Sequence, residues 1–237
     1  MDDLTPDPES ARIFSDQWSL YRKMADLDYF YHREAYGILA DVLRNDMKPR
    51  FRFLDLACGD ARESATAIAD APIGHYRGID LSPIALADAA GNLENLTCPV
   101  ELEESDFADG TWHGAGPLDV VWFGLSLHHL TTNAKREVFD SVHGVLRDGG
   151  KFLVFEPLRR DGESLDGFYD RSEVNVRANW TALTDEEQKS VIEHIRTCDL
   201  PEEISGWRQL GADAGFSTSD VLFVGSNELY GVLGFTR

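Results

Sequence analysis

Phe53-Leu54-Asp55-Leu56-Ala57-Cys58-Gly59-Asp60-Ala61-Arg62 sets the reading of the whole chain. An apolar run with one acid inside it has the make-up of a strand, Gly59 supplies a tight turn, and a helix opens after it. Glycine has no Cβ, so the backbone at such a turn lets a ligand approach closely. A dinucleotide-binding turn needs three spaced glycines to bring backbone N–H groups around a pyrophosphate. Here one glycine stands between Asp55 and Asp60. Acids at that point repel phosphate and suit a ligand that carries positive charge and no phosphate.

Further signals follow in order. Tyr76-Arg77-Gly78-Ile79-Asp80-Leu81-Ser82-Pro83 is a second short strand ending in an acid. It lies about 20 residues past the glycine turn, where a carboxylate accepts both hydroxyls of a ribose. Ser82 then caps a helix with Pro83 at its first position. Ser105-Asp106-Phe107 follows a third strand, and Leu118-Asp119-Val120-Val121-Trp122-Phe123 is a fourth. Gly149-Gly150-Lys151-Phe152-Leu153-Val154-Phe155-Glu156 is a turn and a fifth. In order and spacing this set resembles the class I S-adenosylmethionine (SAM)-dependent methyltransferases, over residues 51–157.

The resemblance implies a Rossmann-like three-layer α/β sandwich with a seven-stranded, mostly parallel sheet and an antiparallel final strand. It implies SAM as methyl donor and S-adenosyl-L-homocysteine (SAH) as product. By the same likeness Asp55 and Gly59 face the amino-acid half of the cofactor and Asp80 its ribose, with Ala57, Cys58 (a structural part of the motif, not a nucleophile) and Leu81 also among the cofactor-binding residues. Asp106 meets the adenine amino group and Phe107 covers the ring. Phe123 and Gly124 end the fourth strand, where the methyl group should sit. Arg33 either pairs with the SAM carboxylate, as a lid cation does in some relatives, or is a surface arginine.

The chain has 237 residues, enough for one full α/β domain with a modest insertion. No apolar run approaches the roughly 20 residues that span a bilayer, and the N-terminus lacks the basic and apolar regions of a signal peptide. Its 3 cysteines show no CxxC spacing, so neither a disulfide framework nor a zinc site is expected. A cytoplasmic location fits. The net charge of −20, without a basic cluster, argues against nucleic acid as substrate. That charge keeps the protein soluble or attracts a cationic substrate. The expected partner is a small-molecule acceptor, with the chain a monomer or homodimer.

Ile13, Phe14, Trp18, Tyr21 and Met24 fall at helical spacing, which predicts an amphipathic helix over 11–26 after a loosely attached 1–10. Ala35, Ile38, Leu39, Val42 and Leu43 predict a second, ending before Pro49. Residues 1–48 are expected to form a helical lid on a SAM-binding domain over 49–237. Core helices are expected at 62–71, 82–94 and 132–147, the last stopped by Gly149-Gly150. Residues 157–200 are polar, with a capping box at Thr184-Asp185-Glu186-Glu187. In the family such an insertion after the fifth strand forms part of the substrate cap. A helix from Pro201 and two strands around Gly225-Ser226-Asn227-Glu228 close the chain.

The expected reaction moves the SAM methyl group to an O or N atom of a small acceptor. The protein must align the partners, exclude water and remove a proton from a hydroxyl acceptor. His128 and His129, just past the fourth strand, and Glu156 are the candidate catalytic groups; histidine titrates near neutrality and suits general-base work. Adjacent histidines point different ways, so at most one reaches substrate, and both are equally open to packing or cofactor-shell roles. Tyr21, Tyr31, Tyr169, Arg171 and Trp180 are candidate substrate contacts. Lid aromatics also serve as helix-packing core, and Arg171 suits an acceptor carboxylate or an internal salt bridge equally. No metal is expected, since His-His lacks ligand spacing and no second ligand cluster is visible. Two alternatives remain. Gly215 to Val224 with Asn227 resembles carboxy-SAM synthase, which modifies the cofactor itself, and a SAM-binding module without catalysis would keep the same acids.

Overall fold

A computed structural model describes residues 18–114 and 116–237. The reading of residues 1–10, and the first part of the helix expected over 11–26, lie outside the described residues. Residues 18–26 are helical (α1). The core follows as α2 (His32–Asn45), β1 (Phe51–Leu56), α3 (Arg62–Ile68), β2 (Ile73–Asp80), α4 (Pro83–Asn92), β3 (Val100–Glu104), β4 (Leu118–Gly124), α5 (Thr132–Val145) and β5 (Leu146–Pro157). Next come α6 (Leu165–Asn179), α7 (Asp185–Cys198), α8 (Ile204–Asp213), β6 (Thr218–Val224) and β7 (Tyr230–Thr236).

The seven strands form one sheet in the order β3-β2-β1-β4-β5-β7-β6, with β7 antiparallel to both of its neighbours and the other pairings parallel. The central strands read as unbroken apolar runs because both faces are covered. Phe53, Val120, Trp122 and Phe155 pack on one face with α2, α6 and α7. Leu54, Leu56, Val121, Phe123 and Val154 pack on the other with α5 and α8. The chain grows outward from β1 to β3, then crosses to the other side of β1 with β4. The crevice at that reversal, outside the carboxyl ends of the strands, is where such sheets bind ligands.

The expected caps form. Ser82 Oγ accepts from Ala85 N with Pro83 at the first helical turn, and Thr184 and Glu187 make a reciprocal capping box at α7. Three core helices are shorter than expected, ending at Ile68, Asn92 and Val145. The helix expected to reach residue 147 stops early because Leu146 already pairs with Leu118 of β4. The two glycines lie inside β5, Gly149 at φ +75°, where they shift its register instead of stopping a helix.

The N-terminal segment bridges two parts of the molecule. On one side Arg22 lies 3.4 Å from Asp60 and 3.3 Å from Asp88, and Arg62 lies 2.6 Å from Asp26. On the other, Lys23 meets Glu187 of α7 at 2.7 Å, Tyr29 stacks on Trp180 at 4.9 Å, and the Tyr29 hydroxyl accepts from Ala182 N. Half-exposed ion pairs contribute about 0–1 kcal/mol each. The aromatic stack on a buried tryptophan is the firmer tie. Among the described residues no helix is long and apolar enough to cross a membrane.

Candidate functional site

The turn after β1 carries Ala57, Gly59 and Ala61 at φ +54°, +55° and +50°. Left-handed backbone costs a residue with a Cβ about 1–2 kcal/mol, so something must hold this turn in place. Asp80 does. Its Oδ2 accepts from Gly59 N at 2.7 Å and its Oδ1 from Ser82 N at 2.8 Å. One carboxylate at the end of β2 thereby fixes both the glycine turn and the start of α4. Burial pushes the Asp80 pKa above the usual carboxylate value, and these N–H donors oppose it. A Cβ on Gly59 would meet the Trp18 ring at 3.3 Å.

A cavity of about 330 Å³ opens over this turn. Its floor comes from the loops after β1, β2 and β4, with Phe107 at one end, and Trp18, Tyr21, His32 and Tyr36 of the N-terminal segment close it. Of the expected cofactor contacts it gathers Ala57, Cys58, Gly59, Asp80, Leu81, Phe107 and Gly124, and it also takes in Tyr21 and His129. The charge of its lining suits a cationic ligand. Asp60, Glu63 and Asp80 face it, while its two guanidinium groups, Arg22 and Arg62, are already paired with acids. His32 also lines it, buried, with Nδ1 lacking a hydrogen-bond partner, and burial lowers its pKa to about 4.

Other expected contacts lie elsewhere. Asp55 is buried behind the wall and accepts from the Tyr76 hydroxyl at 2.7 Å; burial pushes its pKa up to about 7. Asp106 turns back to accept from Ala108 N, and Phe123 sits beneath Phe107, edge to face at 4.8 Å. Arg33 points to solvent and pairs with Asp28 at 3.0 Å. Tyr31 shares a hydrogen bond with Ser226, and Trp180 is buried against Tyr29 and Phe30. Arg171 spends every guanidinium N–H on Glu163 and on the carbonyls of Leu158, Asn227 and Glu228, which leaves no donor for an acceptor carboxylate. The internal ion pair is therefore the structure's choice between the two readings of Arg171.

A second cavity, about 90 Å³, adjoins the first and shares Tyr21, Leu125 and His129 with it. Its polar wall is a cluster: His128 and His129 after β4, His194 on α7, and Asp199 just past α7. Leu125 enters this loop at φ +52°, and Glu156 of β5 holds it. The Glu156 carboxylate accepts from the N–H groups of Ser126, Leu127 and His128 and lies 2.6 Å from His128 Nδ1. Glu156 is fully buried and lines neither cavity; its carboxylate positions the loop. Burial pushes its pKa to about 7 against the pull of those N–H donors. Burial, reinforced by neighbouring imidazoles, holds His128 and His129 well below the ordinary histidine value, and burial alone lowers His194.

Tyr169 is a support for this cluster, its hydroxyl donating to the Asp199 carbonyl at 2.7 Å. His194 and Asp199 were not singled out from sequence. A histidine and an acid near a helix end carry no periodic signal, and only the fold of the cap over β4 brings them to His128. Gly215, the β6 strand and Asn227, which carry the likeness to carboxy-SAM synthase, line neither cavity.

Comparison with known proteins agrees with this geometry. The profile of a family described as "Methyltransferase domain" matches residues 53–150, from β1 into β5. This is the class I SAM-dependent methyltransferase fold. A curated relative, an uncharacterized methyltransferase from Synechocystis sp., is 30% identical over 110 residues, which make up 46% of this chain and 49% of the relative. The match thus spans about half the length of that relative. Among solved structures, magnesium protoporphyrin IX methyltransferase from Synechocystis PCC 6803, determined with bound SAH, superposes with a TM-score of 0.68 over 96% of this chain and 98% of that one, at 14% identity. An O-methyltransferase family protein from Burkholderia thailandensis gives 0.65 over 99% of this chain and 61% of that one, at 18% identity. At such identities the likeness carries the fold alone.

Proposed function

We propose that the protein is a SAM-dependent methyltransferase that moves a methyl group to an O or N atom of a small-molecule acceptor. The observation that carries this reading is the pair of adjoining cavities. The larger one lies over the Asp80-clamped glycine turn, and the smaller one reaches it past Tyr21 and His129. The residues present fit SAM. Gly59 leaves room for a ligand against the backbone, Asp80 stands where ribose hydroxyls are held in this fold, Phe107 offers a ring face, and the excess of acids suits an ammonium and a sulfonium. When bound, SAM supplies an electrophilic methyl carbon on sulfur.

The chain's own task is then alignment and exclusion of water. Holding an acceptor in line lowers the barrier by several kcal/mol. Residues 18–36 close the larger cavity, and Met24, Phe30, Val191, Ile195 and Tyr230 make the walls of the smaller one apolar. An acceptor in the smaller cavity meets His129, the imidazole that lines both cavities. The small volume, with no basic lining beyond imidazole, favours a compact acceptor over nucleic acid. A cytoplasmic setting belongs to the same reading.

Mass spectrometry of small molecules released on denaturing the purified protein, followed by SAM and SAH titration, tests the reading. Released SAM or SAH, or binding on titration, supports it. Carboxy-SAM in the extract would replace methyl transfer with cofactor synthesis. A nicotinamide dinucleotide, or no SAM binding at millimolar concentration, would remove it. SAM binding without turnover across a broad acceptor panel would favour a binding module.

A further inference from the structure

We infer that His128, His129 and Asp199, with His194 beside them, form a divalent-cation site of the zinc type with an open position at the inner wall of the smaller cavity. The first three offer ligand atoms within 4.8 Å of one another. Asp199 Oδ1 stands 3.7 Å from His128 Nε2, 3.7 Å from His129 Nδ1 and 3.7 Å from His194 Nε2. Zinc–nitrogen and zinc–oxygen bonds are about 2.0–2.2 Å in tetrahedral sites, which puts neighbouring donors about 3.3–3.6 Å apart. The His128 and His129 distances to Asp199 exceed that spacing by a few tenths of an ångström, and the cavity leaves the fourth position open.

The surroundings are those a ligand set needs. Asp199 is buried and its Oδ1 accepts no hydrogen bond. A carboxylate in that position is costly unless a cation or proton compensates it. His128 gives Nδ1 to the Glu156 carboxylate, which leaves Nε2 toward Asp199. A carboxylate partner on the other ring nitrogen, as at His128, orients a ligating histidine. His129 Nδ1, 3.3 Å from the Cys198 carbonyl, exchanges that contact for the cation on binding.

The strap that carries Asp199 is also fixed in place. Leu200 N donates to the His128 carbonyl at 2.7 Å, and buried Lys135 donates to the Leu200 carbonyl and to Glu202. Mixed imidazole and carboxylate donors suit zinc, nickel or iron(II) more than magnesium or calcium. The site faces the cavity, so an oxygen of the acceptor can complete the cation's coordination, and the cation rather than His129 then makes a bound hydroxyl acidic. That last step rests on the methyl-transfer reading; the cation site does not.

The test uses the whole protein, stripped with a chelator and desalted, with Zn²⁺ and Co²⁺ as probes in excess Mg²⁺ to block the acidic surface. One equivalent of Zn²⁺ retained through gel filtration, and intense visible Co²⁺ bands of a tetrahedral site, are expected. Asp199→Asn should lose the bands. Glu156→Gln, acting through His128, should bind Zn²⁺ about 10–100-fold more weakly. No retention by the wild type overturns the proposal, as does equal retention by Asp199→Asn that still melts cooperatively. SAH titration of the same samples separates the two readings. SAH binding without Zn²⁺ removes only the cation site, and Zn²⁺ binding without SAH removes only the methyltransferase.

Discussion

The two cavities share a wall yet are built in opposite ways. The larger one takes its floor from short runs directly after β1 and β2, and its clamp joins residues 21 apart, Gly59 and Asp80. The smaller one takes its chemistry from the loop after β4 and the end of α7, with His129 and Cys198 brought together from 69 residues apart. The first is a matter of turn geometry, where one residue type fits one backbone position. The second depends on how a helical cap settles on the sheet, and no local preference of the histidines or of Asp199 encodes it.

The largest effect, and the most direct way to break this contrast, is expected from Asp80→Ala. Two half-buried N–H groups lose a charged acceptor, each hydrogen bond to a charged group being worth about 1.5–3 kcal/mol. SAH affinity should fall by more than about 100-fold by calorimetry. Asp199→Asn should leave SAH affinity within about threefold, since Asp199 touches only the smaller cavity. Equal losses in both variants would mean that the cavities act as one site.

Asp55 sharpens the comparison through pH. Its pKa is raised to about 7 in the folded state by burial, above the ordinary value of 3.8. Between pH 4 and 7 the folded chain therefore holds a proton that the unfolded chain has lost, so this group's contribution to stability falls as pH rises through that window. The loss is on the order of a few kcal/mol. Asp55→Asn should flatten the denaturation-midpoint curve over the same window, and an unchanged curve would place Asp55 in a wetter setting.

Gly59→Ala is next in size. Its backbone is left-handed and the new Cβ would meet Trp18 at 3.3 Å. A cost of about 1–2 kcal/mol is expected, read as a lowered melting temperature and weaker SAH binding. Trp18→Ala in the same chain should recover the steric share alone. The smallest effect is expected from Lys23→Ala, which removes the half-exposed pair with Glu187. It should leave the melting temperature nearly unchanged, and any effect should diminish with salt. A larger cost would make the lid-to-cap tie a main support of the smaller cavity.

Much of the molecule was legible from the sequence for these reasons. A parallel strand buried on both faces needs an unbroken apolar run, a close backbone approach needs glycine, and a helix start needs Ser82 or Thr184 at its cap. Such requirements are met by neighbours in the chain, and they gave the strands, the order of elements, the glycine turn and Asp80. Helix ends were less legible, because pairing of Leu146 with β4 competes with helix propensity and wins. Side-chain direction was not legible. Asp55 went to Tyr76, Arg33 to Asp28 and Arg171 to Glu163 because each found a nearer partner than a ligand. The sequence by itself thus determined the fold and the cofactor-side turn, where the governing forces are local. Tertiary structure alone decided that His128, His129, His194 and Asp199 face one cavity, since that meeting depends on burying α6 and α7 against the sheet, and burial has no directional code in the residues it brings together.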